Sequence, residues 1–248
     1  YALTAHRNTT TGNYEVFVTG QRNTDDSQYA LNGHEGAVVA RMDYDYINDE
    51  FWEGSLTELP LVGRAGTGIV ALGAQYFVTS GDGMGGSTGG VFQVNRALDN
   101  VKEFHEDIDD AIDIVVDPTT VDNNGGDFYV LHRNRNIALG TFATTSVNVN
   151  KYTYSASSDA LTKEGVYAHN GNYSGGGVLA RDINWVDQAK GHLIIAQGKK
   201  LSGNTLKVDS MLICYGVNAT SGSEVNSFIY AADGGMFNET LLTTTVID

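Results

Sequence analysis

The sequence of 248 residues predicts an all-β fold, on three observations. It contains 30 Gly but only 2 Pro, together with 13 Tyr and 9 Phe, a composition typical of aromatic strands joined by glycine-rich turns. Short apolar runs alternate with clusters of Gly, Asn, Asp and Ser along the chain. Hydrophobic residues make up 41% of the sequence, which is enough to build a core and excludes wholesale disorder.

The strand-like runs are apolar, with many β-branched and aromatic residues, and each ends at a turn cluster. The first group of runs covers residues 14–18, 37–42 and 51–59. The second covers residues 68–72, 76–79, 91–94 and 101–105. The third covers residues 112–116, 128–131, 147–154 and 161–167. The fourth covers residues 178–185, 192–196, 211–215 and 225–230.

These groups indicate an internal repeat. Their second strands begin near Tyr14, Tyr76, Phe128 and Leu193. The period is therefore about 50 to 65 residues. The repeat units cover approximately residues 1–62, 63–107, 108–176 and 177–248.

Four successive antiparallel strands per unit are typical of propeller blades, which bury their faces against one another around an axis. We therefore predict a single β-propeller domain over residues 1–248. Four visible blade units are at the lower limit of the range for this fold, so the propeller is either a small ring or incomplete. The alternative is a β-sandwich of about 12 to 16 short strands, as one domain or as two divided near residue 107.

The third and fourth units each place a turn immediately before a buried strand, in Gly126–Leu131 and Gly191–Ala196. In this respect the chain resembles the irregular secreted propellers, which include the lactonase-like and NHL-like proteins. The resemblance covers most of the chain but concerns the repeat pattern alone, because neither a Trp-Asp nor a paired-Gly kelch signature recurs at blade spacing. It implies a propeller fold and, as one option, hydrolase activity.

One segment has a competing pattern. Between Asn95 and Ile114, apolar residues recur every three or four positions, as on one face of a helix. The acidic residues 106–110 would then lie toward the helix C-terminus, where negative charge opposes the helix dipole. We therefore expect an outer strand followed by an acidic loop.

The formal net charge of -15 would repel a phosphate backbone, so we expect neither nucleic acid nor anionic membrane surfaces as partners. The sequence has no apolar stretch of about 18 residues, and we expect no membrane insertion. It begins with Tyr1, which suggests a processed mature chain or an excised fragment. The single Cys214 lies in an apolar run and excludes an intramolecular disulfide.

Four glycosylation sequons and a low lysine content favour an extracellular or cell-envelope location. The acceptor residues are Asn8, Asn172, Asn218 and Asn238. Such triplets also arise by chance in a sequence rich in Thr and Asn.

The loop 122–127 resembles the opening of a calcium-binding loop, with Asp122, Asn124 and Asp127 as candidate ligands. Its twelfth position is Arg133 instead of the glutamate that an EF-hand requires, so an EF-hand is excluded. An ordinary turn between strands explains the same residues. Calcium is the one cofactor that we consider.

Three carboxylates are candidate catalytic acids for glycoside or lactone hydrolysis. Asp113, Asp117 and Asp182 lie on or beside the first strands of their units, which line the central channel in a propeller. Aspartates at strand ends are also ordinary turn residues.

Two kinds of side chain are candidate ligand-binding groups. His132 leaves a buried strand and is followed by Arg133 and Arg135, which could bind a carboxylate or a phosphate. Trp185 could stack on a sugar or bind a protein partner, although most such rings belong to the core. The acidic residues Asp43, Asp45, Asp49 and Glu50 alternate with tyrosines, and we interpret them as a solvated strand edge.

The leading hypothesis is a secreted or cell-surface binding and assembly module without catalytic activity, whose partner is a glycan or a protein. It follows from the repeat, the acidic charge and the lack of a complete catalytic constellation. The second hypothesis is a propeller hydrolase that uses the three aspartates, with or without calcium. The third is a subunit of an extracellular filament, a homo-oligomer joined through the terminal strand Leu241–Ile247.

Overall fold

The structure is a computed structural model. It describes residues 2–8, 11–22, 36–61, 65–81, 90–104, 108, 110–133, 147–169, 178–188, 191–202, 205–217, 226–232, 240–241 and 245–246. Beyond Glu164 it describes the side chains of Ile183 and Trp185 alone.

The described chain consists of strands and turns without a helix, which confirms the all-β class. Sheet I contains β1 (Ala2–Arg7), β2 (Tyr14–Arg22), β3 (Gly36–Asp45) and β4 (Glu50–Leu61). Sheet II contains β5 (Ala65–Leu72), β6 (Gln75–Gly81), β7 (Gly90–Asn95) and β8 (Val101–Phe104). Sheet III contains β9 (Asp110–Val116), β10 (Gly125–Arg133), β11 (Val147–Ser155) and β12 (Ala160–His169).

Sheet IV contains six strands. Its main strands are β13 (Val178–Gln188), β14 (Gly191–Ser202), β15 (Thr205–Val217) and β16 (Asn226–Ala232). Two short strands, β17 (Thr240–Leu241) and β18 (Thr245–Val246), both pair with β16. The described residues of the C-terminal segment for which we predict assembly with a neighbouring chain therefore pair within their own sheet.

In every sheet the first four strands lie in the order of the sequence, so each sheet is an up-and-down meander of neighbouring strands. This order requires only hairpin connections, which the turn clusters of the sequence supply. The described chain divides into two compact units. The first comprises residues 1–114 and 121–125, and the second comprises residues 115–120 and 126–248.

Sheets I and II share one hydrophobic core in the first unit. It is formed by buried side chains of both sheets: Phe17, Ala37, Val39, Leu61, Ile69, Tyr76, Val78, Phe92, Val94 and Leu98. The rings of Phe17 and Tyr76 stack across it, with centroids 3.8 Å apart. Burying these rings removes a large apolar area from water, which is the main free energy holding the two sheets together.

Strand β5 can pack this closely because it is rich in glycine. A Cβ atom on Gly66 would lie 1.8 Å from Oγ1 of Thr19 on β2 and 3.0 Å from the backbone nitrogen of Gly20. A Cβ atom on Gly68 would lie 2.8 Å from Cγ2 of Ile114 on β9. All three distances are shorter than van der Waals contact. A residue larger than glycine at either position would therefore prevent β5 from lying this close to its neighbours.

The loop between the third and fourth strands has the same geometry in sheets I and III. In each, the loop has four residues, and its last residue is an aspartate in the left-handed region, Asp49 (φ 55°) or Asp159 (φ 48°). In each, a tyrosine five residues earlier donates its hydroxyl hydrogen bond to that aspartate, Tyr44 to Asp49 and Tyr154 to Asp159. Aspartate tolerates this backbone conformation better than most residues. The turn thus repeats in the structure.

The segment with a helix-like pattern contains strands instead. β8 covers Val101–Phe104 and β9 begins at Asp110, and the apolar Leu98 lies in the turn before β8 with a φ of 56°. Its side chain is buried in the core of the first unit, so the apolar periodicity reflects burial of a turn residue and not a helix.

We expect the substitution Gly66→Ala to destabilise the chain by about 1–3 kcal/mol, because the new methyl group meets Thr19 and the backbone of β2. Urea unfolding followed by circular dichroism measures the effect. Gly36→Ala is the matched control, since a Cβ atom there has nothing within 4 Å. Equal stabilities of the two variants would contradict the packing described for β5.

Candidate functional site

The turn between β3 and β4 exposes a group of large apolar side chains. We call Tyr46, Ile47, Phe51 and Trp52 the hairpin tip; they are 48%, 75%, 53% and 63% exposed. Two of them contact neighbouring rings: Tyr46 makes an edge contact with Tyr14, with ring centroids 6.0 Å apart, and Phe51 makes a tilted contact with Tyr44, with centroids 5.0 Å apart. Phe51 and Trp52 are consecutive in β4, so their side chains lie on opposite faces of the hairpin, and large apolar groups are exposed on both faces. Such exposed apolar groups mark a site of interaction.

Local hydrogen bonds hold this turn. The Asp45 carboxylate accepts hydrogen bonds from the backbone nitrogen of Ile47 (2.9 Å) and from the side-chain amide of Asn48 (2.8 Å). These donors, the Asn48 amide first, lower the pKa of Asp45. The Tyr44 hydroxyl donates to Asp49, and this bond raises the pKa of Tyr44. The tip is therefore built on an ordered turn.

An enlarged bulge in β4 follows Trp52. In the register of β3 and β4, Asp43 pairs with Trp52 and Arg41 pairs with Thr57. An advance of two residues along β3 therefore corresponds to an advance of five residues along β4, and the extra residues of β4 form the bulge. Ser55 closes the bulge: its hydroxyl donates to the Trp52 carbonyl oxygen (2.6 Å) and accepts from the Asp43 backbone nitrogen (2.7 Å). The turn of sheet III has a bulge at the corresponding place, between Lys151 and Tyr152, with one extra residue.

The corresponding turn of sheet III shows that the tip residues are not needed for the turn itself. When Tyr44 and Asp49 are aligned with Tyr154 and Asp159, the tip residues correspond to small, polar or aliphatic ones. In order, Tyr46, Ile47, Phe51 and Trp52 correspond to Ala156, Ser157, Leu161 and Thr162. One loop geometry is thus formed with and without exposed aromatic rings, and the rings need another explanation.

The tip is surrounded by negative charge. Residues 43–58 include six acidic side chains and no Lys or Arg. The acidic residues are Asp43, Asp45, Asp49, Glu50, Glu53 and Glu58. The sequence predicts a solvated strand edge for the first four. In the structure β3 is an inner strand of sheet I and Asp43 and Asp45 are half-buried, so the prediction is wrong for these two residues, whereas Asp49 and Glu50 are exposed. The sequence feature that indicates the exposed apolar side chains is the density of aromatic residues between Tyr44 and Trp52.

A partly buried ion cluster, centred on the buried Glu15, lies beside the same hairpin. Glu15, only 4% exposed, accepts two hydrogen bonds from the Arg96 guanidinium, and Nη2 of Arg41 lies 3.6 Å from its carboxylate. Arg41 also donates to the Arg96 carbonyl oxygen (3.1 Å). The cluster thereby joins β2 and β3 of sheet I to the β7–β8 turn of sheet II.

The charges in this cluster determine two pKa values. Burial raises the pKa of Glu15, but the hydrogen bond from Arg96 and the charges of Arg41 and Arg96 outweigh it, so the pKa lies below its usual range. Burial, and then the Glu15 charge, raise the pKa of Tyr76 to about 12. Glu15 is therefore ionised and Tyr76 neutral at physiological pH.

The three candidate catalytic aspartates have different environments. Asp113 is half-buried, and its Oδ1 accepts from the Ile114 backbone nitrogen (2.8 Å). Asp117 is buried and follows β9, where its Oδ1 accepts from both the backbone nitrogen (2.9 Å) and the hydroxyl (2.6 Å) of Thr119. Asp182 lies at a bulge of β13, and its side chain is outside the described part. These hydrogen bonds give Asp117 a role in closing a turn.

The candidate ligand-binding residues are mostly placed in the interior or outside the described part. His132 is buried in β10, and its Nε2 lies 3.1 Å from Oδ1 of Asn150, whose amide donates to Tyr152. Trp185 is half-buried and stacks on buried Tyr129 at 5.9 Å. The side chain of Arg133 and all of Arg135 lie outside the described residues.

The candidate calcium ligands make the hydrogen bonds of turns and strands. The Asp122 carboxylate accepts from the Asn124 backbone nitrogen (2.6 Å) and from the Asn124 amide (3.2 Å). Asp127 forms an ion pair with Lys151 (2.7 Å) and accepts from the Thr153 hydroxyl (2.7 Å). Among the described residues there is no group of three or more His, Cys, Asp or Glu suited to a metal ion. Calcium binding stays a prediction.

Of the four sequons, one acceptor lies in the described part. Asn8 is in the β1–β2 connection, where its Oδ1 accepts from the Thr11 backbone nitrogen (3.3 Å). Asn172, Asn218 and Asn238 lie outside the described residues. Glycosylation therefore stays a prediction.

No protein-family profile matches the chain, and a search of curated protein sequences finds no significant match. Within the part of the chain that the structure covers, no helix has the length and apolar character to span a membrane.

We expect Glu15→Gln to lower the free energy of unfolding at neutral pH by about 1–3 kcal/mol, because it leaves Arg41 and Arg96 without their buried counter-charge. The folded pKa of Glu15 is depressed, so its ionisation stabilises the fold above its ordinary pKa of about 4.3, and this stability is lost as the pH falls through the lower folded value. The variant should lose less stability on acidification than the wild type.

Urea unfolding at a series of pH values between about 7 and about 3 measures this difference. Glu164→Gln, at an exposed position of β12, is the control and should retain the acid dependence of the wild type. Parallel stability curves for wild type and Glu15→Gln would contradict the assigned role of Glu15.

Proposed function

We propose that the chain is a non-catalytic binding module and that the hairpin tip is its contact surface. The observation that supports this most directly is the exposure of three aromatic rings and one isoleucine at a single hairpin, when the corresponding hairpin of sheet III is made without them. Tryptophan and tyrosine are enriched among the residues that dominate binding energy at interfaces.

The partner that we propose is a protein. Aromatic rings alone would also suit a glycan, because flat rings stack on sugar faces. Ile47, the most exposed side chain of the tip, has no flat face, and a branched aliphatic group is typical of protein interfaces. Leu56, in the enlarged bulge of β4, the last strand of its sheet, is a further exposed apolar side chain. A glycan is the alternative outcome of the test below.

We further propose that the four sheets are blades of a β-propeller and that the module acts in the extracellular space or at the cell surface. Support for the propeller comes from the four consecutive meanders and from the turn that sheets I and III share. Support for the location comes from the sequons and the low lysine content of the sequence.

If the sheets form one compact ring, small-angle X-ray scattering should give a radius of gyration of about 18 Å for a chain of this length. The measurement is made on the monomer after size-exclusion chromatography. A radius well above this value, with a pair-distance distribution that has two maxima, would contradict the single propeller.

Fluorescence of Trp52 tests binding at the tip. The chain has 2 tryptophans, so Trp185→Phe leaves Trp52 as the only reporter and retains a ring against Tyr129. We expect a polypeptide probe to shift or quench the Trp52 emission, because binding removes the indole from water. The probes are poly-L-lysine, poly-L-proline, poly-L-glutamate, chitohexaose and cellohexaose.

The additional substitution Ile47→Ser is the control for location and should weaken binding without changing the stability of the fold, because Ile47 is exposed. A response to the sugars alone would replace the protein partner with a glycan. No response to any probe would contradict the proposed contact surface.

A further inference from the structure

We propose that the partner presents a cationic segment, with Lys or Arg side chains, to the hairpin tip. This inference rests on the proposed binding function and names the chemistry of the partner. It follows from the charge around the tip and from the rings that the tip exposes.

The carboxylates are placed where they can face a partner's cations. Glu50 and Glu53 immediately flank Phe51 and Trp52 on β4, and residues 46–54 are all exposed. With six acidic residues and no basic one, segment 43–58 has a formal charge of -6. Carboxylates at this density attract a cationic partner and increase its association rate.

The exposed rings suit the same partner. The face of Trp, Tyr or Phe attracts an ammonium or a guanidinium group through the quadrupole of the ring. The aliphatic stems of Lys and Arg pack on apolar groups such as Ile47 while their charged ends reach carboxylates. One side-chain type of the partner would thus use both components of the surface.

The turn of sheet III again shows that the charge is not required by the fold. The corresponding segment, 153–168, contains Asp159 and Glu164 as its acidic residues and Lys163 as its basic one, a formal charge of -1. The shared part of the two turns is the tyrosine with its aspartate. Of the additional acidic residues of segment 43–58, Asp43 pairs with Arg41 (3.5 Å), whereas Glu50 and Glu53 are exposed beside the rings, where they can face a partner.

The same charge argues against other occupants. A second copy of this chain would bring a surface of equal charge and a net charge of -15, and the two surfaces would repel each other. An anionic membrane would be repelled in the same way. A neutral glycan would bind the rings without using the carboxylates.

The experiment measures binding of an oligolysine peptide to the Trp185→Phe chain by Trp52 fluorescence and by calorimetry. The same peptide with acetylated lysines is the uncharged probe, and chitohexaose is the sugar probe. The double variant Glu50→Gln and Glu53→Gln removes two charges beside the rings. The matched control, Glu103→Gln and Glu164→Gln, removes two charges from exposed positions of β8 and β12.

We expect the hairpin double variant to weaken oligolysine binding about tenfold and the control to weaken it about twofold or less. Raising the salt concentration from about 50 mM to about 500 mM should weaken binding to the wild-type chain more than to the hairpin variant. Trp52→Ala should also weaken binding, measured by calorimetry.

Three results would overturn the inference. One is equal weakening by the hairpin and control variants, which would mean that the overall charge alone attracts the peptide. Another is equal affinity for the charged and acetylated peptides, which would leave the proposed binding function intact but remove the cationic partner. The third is binding of chitohexaose without binding of oligolysine. A chain that binds neither peptide nor sugar at Trp52 contradicts the proposed function as well.

Discussion

The close approach of β5 to β2 is the constraint on which the first unit depends. At Gly66 there is no room for a Cβ atom, because Thr19 already occupies that position. This separation brings sheets I and II near enough for Phe17 to stack on Tyr76 and for Arg96 to reach Glu15. Once the ion cluster has formed, breaking it would leave charge buried without compensation, which gives the packing of the two sheets a preferred register. Strands β3 and β4 contribute Ala37, Val39 and Leu61 to the same core, and their connection carries the hairpin tip.

The all-β class and the order of strands could be predicted from the sequence, because both depend on local information. Alternating apolar residues and turn clusters indicate strands, and hairpin connections place consecutive strands side by side. Burial is different, because it depends on contacts between distant residues. Leu98 and Tyr76 belong to one core although they lie in different elements. For the same reason, the apolar spacing around Leu98 is similar to that of a helix, although Leu98 is apolar because it is a buried turn residue.

The site was harder to predict than the fold. The sequence predicts three aspartates as catalytic acids and His132 as a ligand-binding residue, on the chemistry of their side chains. In the structure Asp117 and His132 are buried and form hydrogen bonds with neighbouring side chains. Glu15 could not be recognised, because its partner Arg96 is 81 residues away in the sequence. The sequence predicts a solvated strand edge for Asp43 and Asp45, and this is wrong because β3 pairs with a strand on each side, an arrangement that no local pattern indicates. No local pattern indicates the exposure of Trp52 either. The turns of sheets I and III share the hydrogen bond from tyrosine to aspartate, which forms the turn. The exposed apolar residues occur in sheet I and not at the corresponding positions of sheet III, so the turn does not require them.

The central claim is that the hairpin tip is dispensable for folding and is present for binding. Replacing the hairpin tip with its sheet III counterparts, as Tyr46→Ala, Ile47→Ser, Phe51→Leu and Trp52→Thr, tests it most directly, with Tyr44, Asn48 and Asp49 retained. The account predicts a free energy of unfolding within about 0.5 kcal/mol of the wild type, because these side chains are exposed and the turn hydrogen bond remains. A loss of about 2 kcal/mol or more would show that the tip supports the fold, and would contradict the claim.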